Sequence, residues 1–596
     1  MTHNTPSETE DHRKGIAMGR VDGGHVLIRT MRSFGVTTVF TLHGGHLDSA
    51  LRAAAEAGIR LVDTRHEQAA GLAAMGWARV TGEVGVAMAT AGGGVTNLVT
   101  AVTNAFADCV ATVFIGGAPP LRDYDALPVN SGYDQISVMR GITKWAHQIT
   151  TIERLPDLVA RAFQIAREGR PGPVYLDIPS DVLFATIEEN TVRYPVGSNR
   201  VTPPAPSHEA IARTVDLLSD AERPVILAGG GVVYSRAAEL LLEFAELTGI
   251  PVATNNKSRG TVPTDHPLWA RGFSTIAAAA ARGAGEPDVV LILGARLGLY
   301  TGGLRTPVIP DSATVIQVDI RPEEIGRLRD IQIGVTSDCH EMLRGLIERA
   351  RTTQWKDLKD WVQRLGAGQQ GRTAAEVRFV TGAGAPIEPA LLATELAAAL
   401  PPDAILVSDG GETPAWLDAA ADSLGPNRWL GHGYLGMVGE GLPLAVGAQV
   451  ADPSARVVCF TGDGAVGFNF GEFDTMVRHG LPIVVVVNND QQWGMSAHGQ
   501  DLLYGEGNRT VTDLRPTRYD LAAAGFGAHP ELVEHIEELA PAIERALSAN
   551  RPACVNVMTT PSQIAPVTRR LLGRAAEGLV SADGKARVPY ADILEV

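Results

Sequence analysis

The chain is poor in cysteine, in basic charge and in long apolar runs. Its four cysteines (Cys109, Cys339, Cys459 and Cys554) are scattered through 596 residues with no paired metal spacing. That excludes a disulfide framework and points to buried free thiols in a reducing compartment, hence a cytoplasmic protein. Acidic residues outnumber basic ones, 67 to 51, for a net charge of −16. Nucleic acid is therefore not an expected partner, since it wants a basic face. A small anionic ligand stays open, because local groups override net charge. No apolar run reaches the roughly 20 residues of a membrane span, so no membrane contact is expected. Met1 to Gly19 has no apolar core, so it reads as a polar, disordered tail and not a signal peptide.

What the sequence does have is glycine. It carries 65 Gly and 36 Pro among 45% hydrophobic residues. This suits a large α/β enzyme with many tight turns. The length exceeds one core, so two to four domains are expected.

Thr461-Gly462-Asp463-Gly464 is the most informative turn. Glycines around a lone Asp let backbone press against a phosphate while the carboxylate meets a cation. Ala455 to Phe460 before it and Ile483 to Val487 after it read as buried strands, with a helix over Gly471–His479 between them. The second strand ends in Asn488-Asn489-Asp490. Two polar clusters thus sit at strand C-termini, where α/β sheets bind ligands. Mg²⁺ takes such oxygens together with substrate phosphates. A plain Asp-capped turn would account for the first cluster but not for both.

Strands and helices alternate along the rest of the chain. Thr37–Leu42 leads into His43-Gly44-Gly45-His46, Ile59–Thr64 into a helix over Glu67–Arg79, and Gly85–Thr90 into Ala91-Gly92-Gly93-Gly94 with a helix from about Thr96. Thr112–Ile115 and Val174–Ile178 are further strands. Tyr194–Ser207 reads as a linker. A second unit follows, with strands Pro224–Ala228, Val252–Thr254, Val289–Leu293 and Val315–Val318. Its Gly229-Gly230-Gly231 lacks the acidic partner of a dinucleotide fingerprint and reads as a strand-to-helix turn. A linker over Thr352–Gly384, charged and helical in part, precedes a third unit. The expected fold class is α/β, with three doubly wound parallel-sheet domains over residues 20–195, 208–350 and 385–562. Residues 563–596 form a C-terminal extension with Arg569, Arg570 and Arg574, a candidate lid.

The glycine-flanked Asp and the paired amide/acid cluster resemble the thiamine diphosphate and Mg²⁺ signature. The order of units is similar to that of the acetolactate synthase/pyruvate decarboxylase superfamily from about Val26 to Asn556. Within it the chain looks most like benzaldehyde lyase, through His43–His46, Asp63–Glu67, Thr90–Gly94, Ile142–His147, His432–Gly436 and Gly471–Thr475. The resemblance implies pyrimidine-binding, central and diphosphate-binding domains. Glu67 is then the glutamate that meets the aminopyrimidine and drives proton removal through the cofactor. Gly436 and Val438 hold the pyrimidine, with Val438 under the bent cofactor. Gly93, Asn97, Gly411, Gly462, Gly464, Ala465, Trp493, Gly494 and Met495 complete the cofactor contacts. Asp463, Asp490 and the carbonyl of Gln492 are the implied Mg²⁺ ligands, with Asp490 where the family has Asn. The family's subunit-shared site implies a homodimer at least, with a homotetramer expected.

His43 and His46 match the lyase motif as proton shuttles, with Asn130 as a further catalytic position. Ser180, Pro414 and Met495 match its substrate pocket, where shorter side chains at Ser180 and Pro414 enlarge the space. The implied reaction is a C–C lyase and carboligase acting on aldehydes and 2-hydroxy ketones (acyloins) through an enamine. A 2-hydroxyacyl-CoA lyase, taking a CoA thioester, is the first alternative; an acetolactate synthase or 2-oxo acid decarboxylase is the second. FAD is not expected, since Leu297-Gly298-Leu299-Tyr300-Thr301 after Arg296 does not resemble the stretch of FAD-binding relatives.

Overall fold

The computed structural model describes residues 19–195, 201–298, 301–303, 308–366, 386–420, 424–431 and 433–569. Several expectations fall outside them: the N-terminal tail to Met18, parts of both linkers, His432, Leu299 and Tyr300. So does the C-terminal extension beyond Arg569, with Arg570, Arg574 and the lid reading.

The chain divides into two compact units. The first takes in Met1–Val201 with Gly433–Gly436 and Val446–Ala451. Its strands are β1 (Arg20–Asp22), β2 (Thr38–Thr41), β3 (Arg60–Asp63), β4 (Gly85–Ala89), β5 (Thr112–Ala118), β6 (Trp145–Gln148), β7 (Pro173–Pro179) and β8 (Thr186–Glu188). Six of them form a parallel sheet in the order β3-β2-β4-β5-β7-β6, while β1 and β8 pair antiparallel. β4, β5 and β7 are buried along their whole length. Such unbroken burial is what a sheet covered on both faces requires. The strand order reverses at β2, with β3 added on one side and β4 on the other, so the loops leaving β2 and β4 flank a switch point.

The helix Glu67–Thr81 packs on the helix Gly93–Asp108. A methyl group on Gly71 would stand 2.5 Å from Ala101 Cβ, so glycine permits this approach. The second helix starts at Gly93 and not near Thr96, because Gly92 turns the chain with φ 67° directly before it.

The second unit carries two parallel six-stranded sheets. In one, β9 (Pro224–Ala228), β10 (Val252–Thr254), β11 (Trp269–Gly272), β12 (Val289–Leu293), β13 (Thr314–Asp319) and β14 (Ile333–Thr336) lie in the order β11-β10-β9-β12-β13-β14. The triple glycine after β9 begins the helix Gly230–Tyr234, as a strand-to-helix turn should. A Cβ at Gly229 would meet Ala295 Cα at 2.4 Å, and one at Gly231 would meet Gly294 Cα at 2.7 Å. These glycines serve a close approach of backbones. The stretch read as a charged linker begins inside this core: Trp361 is 1% exposed and donates its indole N–H to Pro224 at 2.9 Å.

In the other sheet, β15 (Ile405–Asp409), β16 (Trp429–Gly431), β17 (Val457–Gly462), β18 (Val484–Asn489), β19 (His529–Val533) and β20 (Ala553–Met558) lie in the order β16-β15-β17-β18-β20-β19. All four cysteines are buried and free, as expected. No helix among the described residues is long and apolar enough to cross a membrane.

Candidate cofactor site

In the first unit, Glu67 is the first residue of its helix and 7% exposed. The His66 side chain caps that helix by accepting the Gln68 N–H at 3.1 Å. One Glu67 oxygen accepts from the Asn97 amide at 2.9 Å. A Cβ on Gly94 would lie 3.3 Å from the other. A buried carboxylate thus faces a glycine gap with one oxygen tied down and the other left to work.

His43 and His46 have different surroundings. His43 is exposed, and its Nε2 lies 2.8 Å from Asp48. His46 turns inward across the switch point, its Nδ1 3.0 Å from Thr90 Oγ1. Burial lowers its pKa, which favours the neutral ring. Asn130 is exposed, with φ 66°, and lies against Gly92. Ser180 opens a short helix directly after β7 and is half-buried. Gly93 is open, with nothing within 4 Å of where a Cβ would stand. Gly436 adopts φ 63° and is likewise unobstructed.

Behind these loops runs a buried network that the sequence did not disclose. Asp177, at the end of β7, accepts from Tyr175 Oη at 2.7 Å, Gln135 Nε2 at 2.5 Å and Gln148 Nε2 at 2.8 Å. Burial raises its pKa despite those donors. Gln135 also accepts the Gly92 N–H at 2.8 Å, and Tyr133 donates its hydroxyl to the Gly92 carbonyl at 2.8 Å. Burial, then Asp177, pushes the Tyr133 phenol up to about 12, so it is a permanent donor. Nothing in residue spacing links Asp177 to Gly92; the sheet does.

In the second unit, Asp463 begins a short helix at the end of β17 and is 2% exposed. Its Oδ1 accepts the Gly464 N–H at 2.8 Å, while its Oδ2 is buried with no donor. Burial and then the neighbouring Asp490 raise its pKa; burial chiefly raises that of Asp490. Of the three polar residues ending β18, only Asp490 turns to this place. Asn488 is bonded by Thr559 Oγ1 at 2.8 Å, and Asn489 donates to Asn556 and to the Thr517 carbonyl, both at 3.0 Å. Gln492 faces Asp513 as an isolated antiparallel bridge whose hydrogen bonds are made by Gln491 O and Trp493 N, at 2.7 Å each. The ladder leaves the Gln492 carbonyl unused. Orphaned acid oxygen, second carboxylate and spare carbonyl are a hard-oxygen set that fits a divalent cation.

Gly464 is needed where it is, because a Cβ there would stand 2.6 Å from the Trp493 ring. Ala465 is buried in the same turn. A cavity of about 340 Å³ next to Asp463 is lined by Gly464, Phe468, Trp493 and Tyr519 among others. Gly462 lies by Thr413, and Gly411 by Met495. Pro414 is buried in the helix Thr413–Ala420. The loop holding Val438 is clamped by Asp409, which accepts the N–H groups of Gly439 at 3.0 Å and Gly441 at 2.8 Å.

Two further residues had not been expected. Glu412 and His498 are 6% and 2% exposed, with Oε2 and Nδ1 2.8 Å apart. Burial opposes the charged ring, but Glu412, the Pro561 carbonyl and Asp490 together outweigh it and the His498 pKa is raised. The glycine pair preceding Glu412 at the end of β15 repeats the pattern that drew attention to Asp463, and was the available signal.

Three family models match this chain: the N-terminal TPP binding domain of thiamine pyrophosphate enzymes over residues 21–145, their central domain over 211–346 and their C-terminal TPP binding domain over 409–557. The chain belongs to the thiamine pyrophosphate (thiamine diphosphate) enzymes. It is, more narrowly, acetolactate synthase-like. It is 36% identical over 553 residues to the acetolactate synthase large subunit of Mycobacterium tuberculosis, covering 91% of this chain and 96% of that one. To the large subunit of acetolactate synthase isozyme 2 of Escherichia coli it is 31% identical, covering 90% and 95%. It is also 32% identical to mouse 2-hydroxyacyl-CoA lyase 2, with 87% of each chain covered. These relatives replace the expected kinship with benzaldehyde lyase.

Proposed function

We propose that this protein is a thiamine diphosphate- and Mg²⁺-dependent decarboxylase and carboligase of 2-oxo acids. The observation that carries the reading is the similarity to acetolactate synthases along nine-tenths of the chain, through all three domains. Bound thiamine diphosphate would supply a carbanion that adds to the 2-carbonyl. Asp463, Asp490 and the Gln492 carbonyl would hold Mg²⁺, and Gly462, Gly464 and the start of the helix Gly494–Tyr504 would receive the diphosphate. Glu67, oriented by Asn97, would hold a proton at the pyrimidine ring. His46, neutral and fixed by Thr90, is the imidazole best placed in its unit to exchange a proton with a substrate hydroxyl.

The acyloin-lyase reading leaned on a histidine pair. With His43 engaged by Asp48 at the surface, that support is reduced to one ring. A second reading, a 2-hydroxyacyl-CoA lyase, is favoured by the likeness to the mouse enzyme. The test is a product assay with thiamine diphosphate and Mg²⁺, offering pyruvate alone, pyruvate with a second 2-oxo acid, and a 2-hydroxyacyl-CoA. CO₂ release with formation of a 2-hydroxy-3-oxo acid is expected. No CO₂ from any 2-oxo acid, with cleavage of the thioester, would replace this reading by the second.

A further inference from the structure

We propose that Glu412 and His498 are positioning residues that, through the Gln492 side-chain amide, set the orientation of Asp490 for the cation, without touching the cation themselves. This rests on the thiamine diphosphate reading of the site but not on which substrate is used. His498 Nδ1 meets the Glu412 carboxylate at 2.8 Å and its Nε2 meets the Pro561 carbonyl at 2.8 Å. That Nε2 also lies 3.2 Å from Gln492 Nε2, so the ring is wedged between Glu412 on one side and Pro561 with Gln492 on the other. The same Pro561 carbonyl accepts from Gln492 Nε2 at 2.9 Å, and that nitrogen also donates to Asp490 Oδ2 at 3.1 Å. A continuous chain of bonds therefore runs from Glu412 through His498, Pro561 and Gln492 to Asp490.

A second observation points the same way. A Cβ on Gly494 would lie 2.8 Å from Asp490 Oδ2 and 3.5 Å from Glu412 Oε2. The two carboxylates converge on the first residue of the helix Gly494–Tyr504, with His498 one turn further along it. Two buried carboxylates in so dry a place need hydrogen-bond partners close by; His498 meets Glu412 at 2.8 Å and Gln492 donates to Asp490 at 3.1 Å. Glu412 in turn fixes the segment after β20, accepting the Ala565 N–H at 3.3 Å. Removing the imidazole would free the Pro561 carbonyl, loosen Gln492 and leave Asp490 to turn away from Asp463. The Gln492 backbone is held by the bridge bonds of Gln491 O and Trp493 N, at 2.7 Å each, so its carbonyl should stay in place; its amide, left with Arg509 Nη1 at Oε1 (2.7 Å), should lose its hold on Asp490.

The experiment uses the full-length protein as wild type, His498→Ala and Glu412→Gln. Mn²⁺ affinity is read by electron paramagnetic resonance with thiamine diphosphate present, cofactor affinity by quenching of tryptophan fluorescence, and folding by melting of the metal-free protein. His498→Ala should raise the Mn²⁺ Kd about tenfold or more, which is about 1.4 kcal/mol, and excess Mn²⁺ should restore cofactor binding. Glu412→Gln keeps the shape of the side chain and should shift the Kd in the same direction by less. It carries the test if His498→Ala does not fold. Mn²⁺ affinity within twofold of wild type in the folded variants, whatever happens to the melting temperature, would overturn the proposal. Wild-type protein that took up neither Mn²⁺ nor thiamine diphosphate would overturn the cofactor reading itself, and this inference with it.

Discussion

Asp463 and Asp490 are carboxylates buried against one another, and their chemistry without a cation is unfavourable. Burial pushes Asp463 up to about 8 and Asp490 to about 6. An unfolded Asp stands near 3.9. The stability that each contributes is therefore fully present below about pH 4 and is lost as pH rises through about 6 and then about 8. Metal-free protein should melt at a lower temperature at about pH 8.5 than at about pH 5.5. Mg²⁺ should narrow that gap, and Asp490→Asn should shrink it by leaving one charge in place of two. A pH-independent melting temperature in the metal-free wild type would contradict this account. Glu67 carries a different expectation. Its partner Asn97 holds one oxygen at 2.9 Å, so Glu67→Gln should fold and bind thiamine diphosphate normally. Turnover should fall by about 10² to 10⁴, the usual worth of a positioned acid–base group. Wild-type rates would refute the proton role.

At the scale of elements, glycine decides what can approach what. The helices Glu67–Thr81 and Gly93–Asp108 meet at Gly71, where even a methyl group would press on Ala101. Gly71→Leu should cost about 1–3 kcal/mol through overpacking, measured by denaturant unfolding. A neutral effect would mean that the helices separate freely. Gly464→Ala acts on the other unit: its Cβ has no room beside Trp493. The variant should lose cofactor affinity more than stability, which titration and melting distinguish. Central strands were legible because their burial is continuous. Val252–Thr254 and Val289–Leu293 occur as the residue pattern predicts. Two edge strands were not, although the edge strand Arg60–Asp63 was. Trp145–Gln148 is half-buried throughout and Ile333–Thr336 alternates buried and exposed. Short strands of that kind lack the β-branched run that marks a central one.

At the scale of the molecule, Glu67 belongs to one compact unit and Asp463 to the other. If each site joins Glu67 of one subunit to Asp463 of its partner, two inactive variants should complement. In a mixture of Glu67→Gln and Asp463→Ala subunits, half the dimers are mixed and each has one intact site. Equal amounts refolded together should then recover roughly a quarter of wild-type activity, as the statistics of an isologous dimer require. No recovery would place both groups of a site in one chain.

The sequence by itself determined the cofactor class and the three-sheet plan. Both rest on local devices: a glycine-flanked Asp at a strand end, an acid opening a helix, buried β-branched runs. Such devices fold the same way wherever they occur, so adjacent residues suffice to reveal them. Only the tertiary structure decided which neighbours these residues have. It turned Asn489 away and Asp490 inward, parted His43 from His46, and joined Glu412 to His498 across 86 positions. It also set Asp177 behind Gly92. These pairings depend on which strand ends lie side by side in a sheet. That order is fixed by the packing of whole elements, and no short stretch of the chain records it.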